Sequence, residues 1–209
     1  MHPKRLFDLC WTLPGLLLLG PAFLVIALLI KLDDGGSVFF RQVRVGRAGR
    51  AFRVWKFRTM IANAERCGGP LTVGEDPRTT RVGRWLRQSK LDELPQLFNV
   101  LVGEMSLVGP RPEVPGFVAL YLPEQRRVLD LVPGITDPAS IAYRHESDVL
   151  ARAPDPERHY ISVIMPEKIR LNLAYAAQAT RWTDLRVVLD TLRQLVPSSL
   201  PSSVRERRA

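Results

Sequence analysis

Apolar and polar positions are spread very unevenly along this chain. Residues 9–30 carry no charged side chain, and Asp8 and Lys31 bracket the run. About 22 such residues suffice for a helix across the hydrocarbon of a bilayer. A cleaved signal peptide is one reading, with Lys4 and Arg5 as its basic region. Asp8 and the lack of a small-residue cleavage site after the run oppose it. A straight transmembrane helix is the stronger reading, and two features weaken it. Both flanks are basic: Lys4 and Arg5 before, and Arg41, Arg44, Arg47, Arg50 and Arg53 after. Positive residues prefer the cytoplasmic side, so a spanning helix would put one basic flank on the wrong side. Gly20-Pro21 also falls near the middle, where proline removes a backbone donor and kinks or breaks a helix. A re-entrant helix that bends at Pro21 and returns to the same face satisfies both features. The backbone groups freed near Gly20 then need partners. Spanning helices also tolerate proline, so the straight form stays open.

Beyond the run, the pattern shortens. Residues 38–45 read as a strand, 46–49 as a turn and 50–58 as the return strand. On the second strand Phe52, Val54, Lys56 and Arg58 share one face by the two-residue period. Lys56 and Arg58 there form either a solvated basic edge, snorkelling beside a membrane, or a diphosphate clamp. Residues 60–66 read as a short helix, 68–80 as a polar loop and 81–88 as a helix. Leu94, Leu97, Phe98 and Leu101 follow the i, i+3, i+4, i+7 spacing of a buried helical face, and Gly103 is a stop signal. Asp92 occupies the N-cap position of that helix, with Pro95 in its first turn. Residues 109–115, 132–138 and 154–156 are proline-rich turns. Residues 171–175 and 185–195 read as helices, and 198–209 as a polar, basic tail. The division is therefore 1–35 as the membrane helix, 36–197 as one compact domain and 198–209 as a flexible tail.

Charge and composition then narrow the function. Of 209 residues, 46% are hydrophobic, and the formal net charge is +9, with a sequence pI of about 10.2. That balance suits a nucleic acid, an anionic membrane surface or an anionic substrate. No recognised nucleic-acid motif is present, so no nucleic-acid partner is expected. Cys10 and Cys67 lie in unlike surroundings, and no histidine pairs with them at metal-ligand spacing. Neither a disulfide framework nor a zinc site is indicated.

Asp92 and Glu93 are the chemical candidates. A lone Asp-Glu pair is a weak signal, and the bland reading is a helix cap with a favourable dipole contact. The neighbours raise it: Arg87 lies about a helical turn upstream, and Arg111 follows the rigid Gly109-Pro110 turn. An ordinary aspartate, with a pKa near ~3.9, is ionised at neutral pH and can attack phosphorus without a general base. Its obstacle is repulsion from an anionic diphosphate. Cations, a helix N-terminus and a metal ion remove it. Magnesium is the expected metal, since it shares one or two carboxylates with substrate phosphates. Glu93 would bind or orient that metal, or orient Asp92.

These residues taken together resemble the bacterial sugar transferase family, the monotopic phosphoglycosyl transferases acting on polyprenyl phosphate. The resemblance runs through Lys4-Arg5-Leu6-Phe7-Asp8 and through Phe40 to Gly46. It continues in Lys56-Phe57-Arg58-Thr59-Met60, Asp76 to Arg84, Leu91 to Gln96, Gly109 to Pro112 and Pro133-Gly134-Ile135-Thr136. It covers most of the chain, and motifs this long in this order are highly specific. It implies an α/β fold, mainly helical with a small β-hairpin or sheet, in which a re-entrant membrane helix joins a compact cytosolic catalytic domain. It implies transfer of a sugar phosphate from a UDP-sugar to undecaprenyl phosphate, with release of UMP. This is a first membrane step of exopolysaccharide, lipopolysaccharide or other glycoconjugate synthesis at the bacterial inner membrane. By the same resemblance Asp92 is the covalent nucleophile and Glu93 its dyad partner, with Mg2+ required and expected at Asp92 and Glu93. Lys56, Arg58, Arg87 and Arg111 would handle phosphates, and Gly20-Pro21 would break the membrane helix.

The expected partners are the UDP-sugar, the polyprenyl phosphate and membrane lipids, and a homo-oligomer is compatible with the sequence. Two departures stand out. Asp137-Pro138-Ala139-Ser140 replaces a common Gly-Trp-Ala-Gln and leaves the donor sugar open, and Gly20 precedes Pro21 where serine is frequent. Extra N-terminal membrane helices of longer members are absent, so a minimal catalytic unit is expected. The competing class is a basic, non-enzymatic membrane-surface adaptor. It gives no reason for Asp92, Glu93 and Arg111 to occur together.

Overall fold

A computed structural model describes residues 3–64, 67 and 76–195. Most of the loop expected at 68–80 and all of the tail at 198–209 lie outside the described residues. The fold is mostly helical, with two small two-stranded sheets.

The apolar run forms α1, Pro3–Asp34, a 32-residue helix. It contains Pro14 and Pro21 and continues through both. The expected interruption at Gly20-Pro21 is therefore not an interruption of secondary structure. A proline removes one backbone bond, and the bonds of the turns on either side keep the element helical. Its middle is apolar and outward-facing, with Leu17 and Leu18 each 82% exposed.

Both ends of α1 are held by the same body. At the start, Lys4 pairs with Asp184 at 2.6 Å, and Arg5 donates to the carbonyl oxygens of Val100 and Leu101. Buried Asp8 accepts from Ser106 Oγ at 2.9 Å and from the Leu107 N–H at 3.0 Å. At the far end, Asp33 accepts from the Val82 N–H at 3.1 Å, and Asp34 pairs with Arg58. Ile26 and Ile30 bury against Phe57 and Leu86, and the Phe23 ring meets Phe57 and Phe98.

The expected hairpin forms from β1, Phe39–Val45, and β2, Ala51–Phe57. They are antiparallel, with Phe39 opposite Phe57 and Val45 opposite Ala51. The strand ends at Phe57, so Lys56 and Arg58 do not point together, and each takes a different partner. A regular helix does not form over 60–66. Met60 instead bridges to Thr79, and Asn63 takes φ 63°; residues 65 and 66 lie outside the described residues.

Helix α2, Arg81–Gln88, starts where expected, capped by Thr80, whose hydroxyl accepts from the Gly83 N–H. A 3-10 turn, Leu91–Glu93, and then α3, Gln96–Val102, follow. Pro95, not Asp92, stands at the N-cap position of α3, and Asp92 lies within the preceding turn. The most buried face of α3 is also polar: Gln96, Asn99 and Val100 are its buried residues. Leu94, Leu97, Phe98 and Leu101 are half-buried, with Leu94 and Phe98 packed toward α1. Asn99 explains the rotation. Its Oδ1 accepts from the Trp55 N–H, and its Nδ2 donates to the Arg53 carbonyl and to Glu104, fastening β2 to α3.

A second sheet pairs β3, Ser106–Val108, with β4, Gly134–Thr136, in parallel. Residues 132–138 had the look of a simple turn. Gly134 instead serves close approach: a Cβ there would lie 2.1 Å from Gly109 N, and one at Gly109 would lie 2.3 Å from Val132 O. Helices α4 (Pro115–Ala119), α5 (Pro138–Ala142), α6 (Glu146–Ala151) and α7 (Pro156–His159) follow. A π-helical turn, Tyr160–Ile164, leads into α8, Met165–Ala176, and α9, Arg181–Leu195, follows. Val45, Phe117, Leu150, Tyr160 and Ile164 form the main core.

Candidate active site

The short connection between α2 and α3 places two adjacent carboxylates in different surroundings. Lys90 ends the α2 segment in the left-handed region, with φ 59° and ψ 15°. The 3-10 turn that follows buries Asp92 to 7% exposure and turns Glu93 toward β2 and the segment after β3. Both carboxylates line a cleft of about 810 Å³ between these elements, α5, α6 and α9.

Glu93 is fully engaged. Lys56 donates to its Oε1 at 2.9 Å, and Arg111 donates to both of its oxygens, one at 2.8 Å. Burial alone would raise the Glu93 carboxyl, but Arg111 and Lys56 outweigh it and hold the group well below the usual carboxylate range. Burial pushes Lys56 down, partly offset by Glu93, while Glu93 raises Arg111. Asp92 is the opposite case. Its Oδ1 is buried and makes no hydrogen bond. Burial first, and the adjacent Glu93 charge second, push its carboxyl up to about 6. It is not the ordinary aspartate expected from the sequence, although most of it is ionised at pH 7.

Lys56, Arg87, Asp92, Glu93 and Arg111 all line the cleft. Arg87 donates from Nε to the Thr59 hydroxyl at 2.9 Å. Arg58 is not brought to the cleft. It is 9% exposed, pairs with Asp34 and lies over Gly36, where a Cβ would fall 1.5 Å from its Nη1. It ties the end of α1 to the hairpin. Gly20 and Pro21 are likewise away from the cleft.

Several lining residues escaped sequence reasoning. Glu113 accepts from Arg44 at 3.3 Å and from the Tyr160 hydroxyl, and Lys168 pairs with Glu146 at 2.8 Å. Only the position of Glu113, two residues after Arg111, was a signal. Tyr160 and Lys168 come from a distant π-helical turn and its following helix, so nothing local marks them.

A cluster of three or more metal-ligating side chains is absent among the described residues. The site suits an oxygen-preferring divalent ion shared with substrate phosphates rather than one caged by protein. The unpartnered Asp92 Oδ1 is a fitting donor. Glu93 would have to yield a cation to serve as a second ligand. Chemically, the arrangement offers one oxyanion with a free lone pair, set among cations already oriented by its neighbour. Such a group is chemically able to act as a nucleophile or metal ligand toward phosphate.

The family model described as bacterial sugar transferase matches residues 1–198. A UDP-N-acetylgalactosamine-undecaprenyl-phosphate N-acetylgalactosaminephosphotransferase of Aeromonas hydrophila is 36% identical over 196 residues, covering 92% of this chain and 43% of that protein. A UDP-glucose:undecaprenyl-phosphate glucose-1-phosphate transferase of Escherichia coli (strain K12) is 37% identical over 198 residues, covering 90% of this chain and 39% of the relative. The exopolysaccharide production protein PSS of Rhizobium leguminosarum bv. phaseoli is 39% identical, with coverages of 90% and 92%. The chain thus spans less than half the length of the first two relatives and nearly all of the third.

Proposed function

The chain belongs to the bacterial sugar transferase family, and from that premise we propose that it transfers a sugar phosphate from a UDP-sugar to undecaprenyl phosphate, with Asp92 as covalent nucleophile. The observation that carries this reading is the contrast inside the dyad: Glu93 is bound by Lys56 and Arg111, while Asp92, whose Oδ1 is buried and unpartnered, lines the same cation-rich cleft.

In the first step an Asp92 oxygen attacks the sugar-bearing phosphorus. The bond to the bridging diphosphate oxygen breaks, and UMP leaves with that electron pair. In the second step an oxygen of the lipid phosphate attacks the same phosphorus. The aspartyl–phosphorus bond breaks, the diphosphate-linked lipid forms and the Asp92 carboxylate is restored. Ping-pong kinetics are expected. Lys56 and Arg111 hold Glu93, which keeps the dyad in place and sets the local charge. Arg87, in the same cleft, is placed to bind phosphate oxygens. Magnesium, held by Asp92 with Glu93 as the alternative ligand, would neutralise diphosphate charge when bound.

The re-entrant path of α1 belongs to the same proposal, with the domain on the cytosolic face of the inner membrane. It is supported by the shared contacts of α3, a seven-residue helix of ~10 Å that touches Arg5 at one end of α1 and Phe23 toward the other. Ends on opposite sides of a ~30 Å hydrocarbon layer could not both reach it. The GalNAc and glucose transferases among the relatives make the donor sugar an experimental question. A panel of UDP-sugars with undecaprenyl phosphate and magnesium, read by UMP release with and without chelator, tests the reading. Asp92→Asn that still released UMP near the wild-type rate would sink it.

A further inference from the structure

Most cations around the cleft are already committed. Lys56 and Arg111 hold Glu93, Arg44 holds Glu113, Lys168 holds Glu146, and Arg87 is bonded to Thr59. Three lining cations, Arg84, Lys90 and Arg144, form no ion pair among the described residues. Of these, exposed Lys90 stands nearest the dyad in sequence, two positions before Asp92, and its charge favours the Asp92 carboxylate.

Its backbone is a second, independent observation. Lys90 is one of three non-glycine residues with positive φ among the described residues. The other two, Ala48 and Asn63, lie in turns away from the cleft. A left-handed residue with a side chain is strained where glycine would be relaxed. Such strain tends to collect where function holds it in place. The turn itself needs only the backbone conformation, which glycine supplies more cheaply. A long cationic side chain at this point is explained by what it does in the cleft.

We propose that Lys90 is a phosphate-binding residue of the reaction, holding the donor diphosphate beside Asp92. The inference rests on the phosphotransfer reading above. A lysine ammonium on a flexible stem is a mobile point charge with three donors, suited to follow a phosphate that arrives, is split and departs. The paired arginines and Lys56 are fixed by their carboxylates and cannot move without breaking those bonds. Lys90 therefore supplies movable charge next to Asp92, where Lys56 and Arg111 are fixed by Glu93.

Two substitutions separate the charge from the turn. Lys90→Gly keeps the left-handed turn and removes the ammonium, while Lys90→Arg keeps the cation. The full chain in lipid nanodiscs, with magnesium and a UDP-sugar that the wild type uses, gives kcat and KM for donor and acceptor separately. Lys90→Gly should lower donor kcat/KM by ~10- to 100-fold. Its melting temperature should stay at or above that of the wild type, and the acceptor KM should be unchanged. Lys90→Arg should recover donor kcat/KM to within a few-fold of wild type. An active wild type beside an unimpaired Lys90→Gly would overturn the proposal. So would Lys90→Arg as impaired as Lys90→Gly, or a change confined to the acceptor KM. A wild type that released UMP from no UDP-sugar would overturn both this inference and the reading beneath it.

Discussion

Helix α1 and the candidate cleft invert the usual arrangement of a protein in opposite ways. Along the middle of α1 apolar side chains such as Leu17 and Leu18 face outward, while its polar ends, Lys4, Arg5, Asp8, Asp33 and Asp34, are pinned to protein. In the cleft, carboxylates and cations are drawn inward, and one of them, Asp92, lacks a hydrogen bond on its Oδ1. A long contiguous outward apolar surface suits lipid as its solvent. An inward, unpaired carboxylate costs stability and persists where something else is to meet it. The same lesson holds within the dyad, where adjacent residues differ because one is paired and its neighbour is not.

The largest test of this contrast is to remove the reactive side. Asp92→Asn keeps the shape and deletes the proposed nucleophile, so UMP release should fall by ~10³-fold or more in a single-turnover assay. Next comes the partner that sets its charge. Asp92 must be ionised to attack, so UMP release should fall about tenfold per pH unit below about pH 6. Glu93→Gln should lower the rate by ~10- to 100-fold and move that acid limb to lower pH. It removes a like charge and releases Lys56 and Arg111 to favour the Asp92 carboxylate. A limb that stays in place or moves upward would show that Glu93 does not govern Asp92.

Stability should respond in the reverse sense to activity. The folded Asp92 carboxyl lies above its ordinary 3.8, so this group weakens the fold as pH rises from about 4 through about 6. At pH 7.5, Asp92→Asn should therefore be more stable than wild type. About two pKa units set an upper limit of ~3 kcal/mol, checked by thermal unfolding in nanodiscs. On the membrane side, Asp8→Ala should cost ~2 kcal/mol, because Ser106 Oγ and the Leu107 N–H lose a buried charged acceptor. The smallest effect is expected at the half-exposed Lys4 pair with Asp184, where Lys4→Ala should cost ~1 kcal/mol or less. A larger loss there than at Asp8 would reverse the proposed anchoring of the α1 start.

Much of this was written locally. The apolar run of 9–30, the hairpin around residues 46–49, the start of α2 and the dyad with Arg87 and Arg111 follow from spacing, charge and turn chemistry. So does the family, through motifs that run from Lys4 to Thr136. The departures arose where contacts at long range overrode local pattern. Arg58 looked like a partner of Lys56 until Asp34, 24 residues away, took it. Leu94 and Phe98 of the apolar stripe pack toward α1, and the buried face goes to Asn99, which closes the edge of β2. A turn signal at Gly134 became a strand because Gly109 lies against it.

Residue types, their order and the strongest periodicities were thus decided by the sequence, since each depends on neighbours within a turn or two. Three matters were decided only by the tertiary structure: which carboxylate is paired, which is left bare, and which cations remain uncommitted. Burial and charge pairing are properties of the space around a group, and that space is built by segments far apart in the chain.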